Sequence, residues 1–169
     1  MADVSRIASG APWEPIFGYS RAVKAGGWIA VSGTTSFDAS GIVGKNQMYV
    51  QARQAIINIA AALERSGAAL ADVVRTRMFV TDITRSGEVA RAHQAFFGAN
   101  PPASTLVEVR RLIHPDMLIE IEADAYIAPP DAAHNASTAA KTRKAAPRIP
   151  AKGKATRARP SVKDSRKRR

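Results

Sequence analysis

The chain has 169 residues and a formal net charge of +11 at pH 7, and this charge is concentrated at one end. Residues 1–130 contain 12 Lys and Arg and 12 Asp and Glu, whereas residues 131–169 contain 13 Lys and Arg against only Asp131 and Asp164. This distribution excludes a uniformly basic nucleic-acid-binding fold and indicates a neutral domain that carries a cationic tail.

The composition of the chain changes sharply near residue 130. Beyond Pro129 and Pro130, Ile149 and Val162 are the only large apolar residues. A segment of this composition buries too little surface to offset its chain entropy. We therefore predict one domain over residues 1–130 and a disordered tail rich in Lys, Arg, Ala and Pro over residues 131–169.

The sequence also restricts the environment of the protein. It contains no cysteine, which excludes disulfides, thiolate nucleophiles and Cys-ligated metals. The first thirty residues hold no apolar leader, and no run approaches the roughly 20 apolar residues of a membrane span. We expect a cytoplasmic protein without a membrane span.

Within the domain, the hydrophobic periodicity alternates between that of strands and that of helices. In chain order it predicts a strand over residues 28–33, a helix over 48–66 that stops at Gly67, a strand over 73–80, a helix over 84–97, and strands over 104–112 and 117–127. This order predicts an α+β domain in which both helices pack on one face of a mixed sheet.

The last predicted strand has the clearest pattern in the chain. Its apolar residues alternate with Glu120, Glu122 and Asp124, which places the three carboxylates on one face. We expect two of the three to face solvent or to pair across strands with Arg75, Arg77 or Arg110.

Most common functional motifs are absent from the sequence. It contains no phosphate-binding glycine loop and no nucleophile elbow, and its three histidines have no metal-ligand spacing. We therefore predict neither a metal nor a cofactor. His93 lies within the second predicted helix, where we interpret it as a hydrogen-bond partner for a nearby polar group.

Seven short segments resemble those of a known family and follow one another in the same order as in that family. They are residues 18–23 (GYSRAV), 31–33 (VSG), 54–58 (QAIIN), 67–74 (GAALADVV), 79–82 (FVTD), 101–103 (PPA) and 118–123 (LIEIEA). Together they make the chain similar to the RidA/YjgF family of imine and enamine deaminases. The resemblance implies a chorismate-mutase-like fold, a homotrimer with small-ligand clefts between subunits, and water-dependent release of ammonia from reactive 2-imino acids such as 2-iminobutanoate.

The same resemblance implies roles for individual residues. Glu120 matches the catalytic glutamate that orients the attacking water and manages its proton. Tyr19 matches the tyrosine that closes the cleft. Ser32, Gly33 and Ala103 match positions whose backbone groups bind the imine and the carboxylate of the substrate.

Two positions depart from the family pattern. Ser104 stands where an arginine after Pro-Ala holds the substrate carboxylate, and Leu106 stands where active members often have a small polar residue. A serine cannot replace a two-pronged charged anchor. By strand parity, Arg110 is the nearby candidate for a substitute. Two interpretations stay open: an imine deaminase with altered or reduced substrate range, and a non-catalytic trimer that binds a small metabolite.

The cationic tail suggests a third, separate activity. Clustered Lys and Arg neutralise phosphates without reading base sequence, so the tail is a candidate for non-specific nucleic-acid binding, and the alternative is a solvated extension. The candidate residues are Lys141, Arg143, Lys144, Arg157, Arg159, Arg166, Lys167, Arg168 and Arg169.

Overall fold

The computed structural model describes residues 3–128, so the tail predictions lie outside the described residues. The strands are β1 (Val4–Ile7), β2 (Ala22–Ala25), β3 (Trp28–Thr34), β4 (Phe37–Asp38), β5 (Gly41–Ile42), β6 (Val73–Val80), β7 (Ala103–Glu108) and β8 (Ile119–Tyr126). The helices are α1 (Trp13–Phe17), α2 (Met48–Arg65) and α3 (Ser86–Phe97), and two short 3-10 turns precede β6 and α3.

Six of the strands form one mixed sheet in the order β1-β2-β3-β8-β6-β7, and β4 and β5 form a separate hairpin. All neighbours in the large sheet are antiparallel except β6 and β7, which are parallel. The buried residues of α2, α3 and the sheet form one hydrophobic core. The α+β prediction, with two long helices packed on a mixed sheet, is confirmed.

Strand β8 shows how the sequence pattern produces this layering. Ile119, Ile121, Ala123 and Ala125 are fully buried in the core, whereas the carboxylates between them lie on the other face. Arg77 on the neighbouring β6 forms ion pairs with two of those carboxylates. Two of the three carboxylates therefore pair across strands, which is one of the two arrangements expected from the sequence.

Helix α2 lies where its apolar stripe predicts. Met48, Ala52, Ile56, Ile59 and Leu63 are all fully buried. The helix stops because Gly67 adopts φ +78°, a left-handed conformation that glycine accepts without steric cost.

The second predicted helix begins differently from the prediction. Residues Ile83–Arg85 form a 3-10 turn, and α3 follows it from Ser86. The Asp82 carboxylate accepts hydrogen bonds from the backbone and the side chain of Thr84, which fixes the tighter turn at this point.

Strand β7 is shorter than predicted, and this overturns one expectation. It pairs with β6 only from Arg75↔Ala103 to Val80↔Glu108, because β6 itself ends at Val80. Arg110 therefore lies beyond the strand, and the parity argument that made it a substitute anchor is wrong.

Candidate active site

A cavity of about 830 Å³ lies where β3, β8 and α2 meet the N-terminal segment. Four of the predicted site residues line it, namely Tyr19, Ser32, Gly33 and Glu120. Further wall residues come from residues 9–17, from residues 34–39 after β3, and from α2.

A β-bulge shapes the centre of this cavity. Val31 pairs with Ala123 and Thr34 pairs with Ile121, so two residues of β3 oppose a single residue of β8. Such bulges bend a strand and redirect its neighbours. The two residues in the bulge are Ser32 and Gly33, and Gly33 lies against the side chain of Glu120.

The Glu120 carboxyl group lies directly against Gly33. A Cβ atom added at Gly33 would overlap Glu120 Oε1 and would lie 2.9 Å from Glu120 Cδ. Only a residue without a side chain leaves room for the carboxyl group in this position. The glycine therefore permits this position of the Glu120 side chain, which would have to shift to accommodate a larger residue.

The surroundings of Glu120 change its acidity. Burial raises the pKa of Glu120 above its ordinary value of 4.5, and the negative charge of Glu122 raises it further. The positive charge of Arg21 opposes both effects without cancelling them. A carboxylate with a raised pKa is a stronger base, which suits it to take a proton from water.

Arg21 is a cavity residue for which the sequence analysis predicted no role. Its Nη1 donates to Ser32 O at 3.3 Å, to Gly33 O at 2.9 Å and to Thr34 Oγ1 at 2.7 Å. Its Nη2 donates to the Tyr19 hydroxyl at 3.0 Å, and the guanidinium lies 5.3 Å from the centre of the Tyr19 ring. The position of Arg21 two residues after Tyr19, and so on the same side of an extended chain, is the sequence signal that could have identified it.

The buried side chain of Glu14 holds the N-terminal wall of the cavity. Its Oε1 accepts from Ser9 N at 2.8 Å and from Ser9 Oγ at 2.6 Å, and its Oε2 accepts from Gly10 N at 3.4 Å. Burial raises the pKa of Glu14, but these bonds and the charge of Arg21 outweigh it and hold the pKa below the ordinary value. Glu14 is therefore a charged structural support rather than a proton donor.

The opposite wall is attached to α2 by Asn58. The Asn58 Nδ2 donates to Thr35 O at 2.9 Å and to Phe37 O at 3.0 Å, while Gln54 Nε2 donates to Asn58 Oδ1 at 2.9 Å. These bonds connect the segment after β3 to the helix. They explain why the QAIIN segment contributes to the cavity as well as to the core.

The remaining predicted site residues lie elsewhere in the chain. Ala103 and Ser104 are exposed on the edge strand β7, and Leu106 is half-buried against the core. None of the three lines the cavity. Ser104 pairs in parallel register with the buried Thr76, whereas Glu120 lies on the opposite face of the sheet.

Ser104 ends a short chain of hydrogen bonds. Its Oγ lies 2.9 Å from Thr76 Oγ1, which in turn lies 3.0 Å from His93 Nε2. Burial lowers the pKa of His93 below its ordinary value of 6.5. The interpretation of His93 as a partner for a nearby polar group is confirmed.

Two further findings concern the part of the chain that the structure describes. Between residues 3 and 128, no cluster of three or more acidic or histidine side chains could hold a metal ion. No helix in the same range combines the length and the apolar character needed to span a membrane.

Comparison with known proteins identifies the family. The family model described as endoribonuclease L-PSP, which represents the YjgF and RidA proteins, matches residues 9–127. The chain belongs to the RidA/YjgF family. The resemblance seen in the sequence is thus confirmed over nearly all of the described residues.

Three members of the family illustrate the similarity. A protein of Mycobacterium tuberculosis, described as a member of the YjgF/YER057c/UK114 family, has a solved structure with 45% identity and a TM-score of 0.69, over 74% of this chain and 100% of that one. The RutC family protein of Pyrococcus abyssi is 39% identical over 67% of this chain and 89% of its own length. A Salmonella typhimurium protein called 2-iminobutanoate/2-iminopropanoate deaminase is 36% identical over 62% of this chain and 84% of its own length.

Within one chain, the predicted site residues therefore form two separate groups. Tyr19, Ser32, Gly33 and Glu120 surround the cavity. The β7 residues, including Ser104 at the position of the expected arginine, lie at the far edge of the sheet.

Proposed function

We propose that the protein hydrolyses reactive imines to a carbonyl compound and ammonia, with Glu120 as the general base. The observation that carries this proposal is the position of the Glu120 carboxyl group, which lies against Gly33 in the cavity with a raised pKa. The relative from Salmonella typhimurium called 2-iminobutanoate/2-iminopropanoate deaminase supports the same reaction class.

The reaction follows from the chemistry of the carboxylate. Glu120 takes one proton from a water molecule as the water oxygen forms a bond to the imine carbon, and the C=N double bond becomes a single bond. The nitrogen gains two protons, one returned from Glu120 and one from the hydroxyl group of the tetrahedral intermediate, and leaves as ammonia when the C–N bond breaks. The carbon keeps the oxygen as a carbonyl group, so one imine and one water give one carbonyl compound and one ammonia.

The complete site in this proposal lies between subunits of a homotrimer. Strand β7 is an edge of the sheet, and an edge strand offers unpaired backbone groups to another chain. Its exposed residues Ala103 and Ser104 are then available to complete the Glu120 cavity of a neighbouring subunit. The family resemblance implies the same arrangement.

A second candidate function is non-catalytic. In this alternative the trimer binds a small metabolite in the same cavity, and the cationic tail binds nucleic acid. Two sequence observations favour it: Ser104 has no charge to anchor a substrate, and residues 131–169 carry the whole net charge of +11.

An ammonia-release assay distinguishes the two functions. The proposed deaminase releases ammonia from 2-iminobutanoate and related imines faster than buffer does, and Glu120→Gln lowers the rate by about 100-fold or more because the base is lost. The matched control is Glu122→Gln on the same strand face, which pairs with Arg77 and should retain activity at neutral pH. Equal rates for the wild type and Glu120→Gln would favour the non-catalytic alternative.

A further inference from the structure

We propose that Arg21 and the Tyr19 hydroxyl group form the anion-binding end of the cavity and hold the carboxylate of the substrate. This inference rests on the proposed function and deepens it, because it names the groups of this chain that would hold the substrate carboxylate. It also answers how such a substrate is held by a chain that has Ser104 in place of an arginine.

The hydrogen bonds of Arg21 leave part of its guanidinium group available. A guanidinium has five N–H donors. Its Nη1 group is occupied by the bulge and Thr34, and one Nη2 hydrogen by the Tyr19 hydroxyl oxygen. The Nε hydrogen and the second Nη2 hydrogen have no acceptor among residues 3–128. They are two donors that a carboxylate in the cavity would engage, since arginine binds carboxylates through pairs of N–H groups.

Tyr19 adds a third donor to this group. Because its oxygen accepts a hydrogen bond from Arg21 Nη2, its own hydroxyl hydrogen is free to donate. Both residues line the cavity, and the guanidinium lies close to the Tyr19 ring. The fixed position of Arg21 also reduces the conformational entropy that binding would cost.

No carboxylate among residues 3–128 bonds Arg21 directly, although its charge acts on Glu14 and Glu120 from a greater distance. Its four hydrogen bonds go to neutral oxygens, and none of the ion pairs between residues 3 and 128 includes it. A carboxylate that accepts hydrogen bonds from a guanidinium directly makes a stronger, charge-assisted contact than one at a distance. An anionic ligand in the cavity would supply that contact.

The second arginine of the cavity is less suitable. Arg65 is exposed, and its Nε and Nη1 donate to Ala61 O at 3.3 Å and to Ala8 O at 3.2 Å. Arg21 instead lies near enough to Glu120 for its charge to act on that carboxyl group. The two groups give the cavity one cationic and one anionic position, which complements a molecule that carries a carboxylate beside a basic imine nitrogen.

The test measures binding without turnover. The probe is 2-oxobutanoate, the carboxylate-bearing hydrolysis product of 2-iminobutanoate, and the comparison ligand is its uncharged primary amide. Both are titrated calorimetrically into the full chain at about 0.15 M salt, where exposed charges are largely screened. Arg21→Gln should weaken 2-oxobutanoate binding by about 10- to 100-fold and leave the affinity for the amide nearly unchanged.

Two further variants make the result specific. Arg21→Lys keeps the charge but lacks the two-pronged geometry, so its affinity for 2-oxobutanoate should be intermediate. Arg65→Gln is the matched control and should bind like the wild type. If Arg21→Gln does not fold, Arg21→Lys provides the test. The proposal is overturned if Arg21→Lys binds 2-oxobutanoate as tightly as the wild type does.

The other outcomes separate this inference from the proposed function. Absence of 2-oxobutanoate binding by the wild type, or equal binding by the wild type and Arg21→Gln, would overturn the Arg21 assignment. If the wild type and Arg21→Gln release ammonia from 2-iminobutanoate with equal efficiency, the Arg21 assignment is overturned and the deaminase proposal stands. Arg21-dependent binding without any imine hydrolysis would support the anion site and contradict only the deaminase proposal.

Discussion

At the scale of single residues, the three carboxylates on one face of β8 have different surroundings. Arg77 Nη1 lies 3.4 Å from Glu122 Oε2 and Arg77 Nη2 lies 3.1 Å from Asp124 Oδ2, so those two carboxylates share one cation. Glu120 instead lines the cavity, where burial raises its pKa. One repeating strand pattern thus produces two structural ion pairs and one candidate base.

The pH dependence of the proposed activity follows from this difference. Glu120 must be ionised to accept a proton, so kcat/KM should fall as the pH decreases through a midpoint above 4.5. Glu122→Gln removes a negative charge that raises the pKa of Glu120, and should move the midpoint to lower pH. Arg21→Gln removes a positive charge that lowers the pKa of Glu120, and should move the midpoint to higher pH.

The measurement is a pH profile of kcat/KM for the wild type and both variants. Asp124→Asn is the control: Asp124 lies further along the same face and pairs with Arg77, so its substitution should leave the midpoint in place. Shifts of the same sign in Glu122→Gln and Arg21→Gln would contradict the assignment of Glu120 as the base.

The sequence predicted some of these residues and missed others for a physical reason. The pairing of Glu122 and Asp124 with an arginine depends on strand parity, which is local and legible in the sequence. The contacts of Arg21 depend on the bulge in β3, which no local pattern shows, so the spacing of Arg21 from Tyr19 is the signal that the sequence offers for it. The prediction that Arg110 could replace the missing anchor was wrong, because it assumed that side chains keep alternating between the two faces beyond Glu108, where the strand ends.

At the scale of secondary-structure elements, Gln51 connects α2 to the segment that leads into β8. This fully buried side chain donates from Nε2 to Asp116 O at 2.7 Å and to Gly44 O at 3.2 Å, and its Oε1 accepts from Leu118 N at 2.8 Å. It thereby positions the start of the strand that carries Glu120.

Replacing this side chain with an apolar one should destabilise the domain. Gln51→Leu leaves the carbonyls of Gly44 and Asp116 and the N–H of Leu118 without their partner, and should lower the free energy of unfolding by about 2–4 kcal/mol. The matched control is Gln54→Leu on the same helix, where the half-buried side chain bonds only Asn58 and the expected loss is about 1 kcal/mol or less. Urea unfolding followed by circular dichroism measures both, and equal losses would contradict a special role for Gln51.

Periodicity predicted the long elements and missed the short ones. Helix α2 has 18 residues and β8 has 8, enough for several repeats of their patterns. Strands β1 and β2 have 4 residues each and α1 has 5, so neither period can be recognised in them. The N-terminal wall of the cavity was therefore outside the reach of pattern analysis, although its residues lie next to the predicted GYSRAV segment.

At the scale of the whole molecule, the main feature of the sequence is the separation of charge between domain and tail. Residues 1–130 are neutral overall, and residues 131–169 carry +11. In the proposed homotrimer three tails would together carry +33. Linked weak sites can bind far more strongly than one of them alone, so trimerisation would strengthen any affinity of the tail for polyanions.

The final prediction compares the full chain with a chain that ends at Pro130 in binding to duplex DNA. The full chain should bind with little sequence preference, and its affinity should fall steeply with salt, with a log–log slope of about 0.9 for each phosphate neutralised. The shortened chain has no net charge and should not bind DNA. It should still have the mass of a trimer by light scattering, and its cavity should bind 2-oxobutanoate with unchanged affinity. Fluorescence anisotropy at about 0.05 M and 0.2 M salt measures the difference. If the shortened chain binds DNA as well as the full chain does, or if neither binds at the lower salt concentration, then residues 131–169 do not bind nucleic acid. Loss of the trimer in the shortened chain would instead assign the assembly to residues 131–169 and contradict the proposed role of the β7 edge.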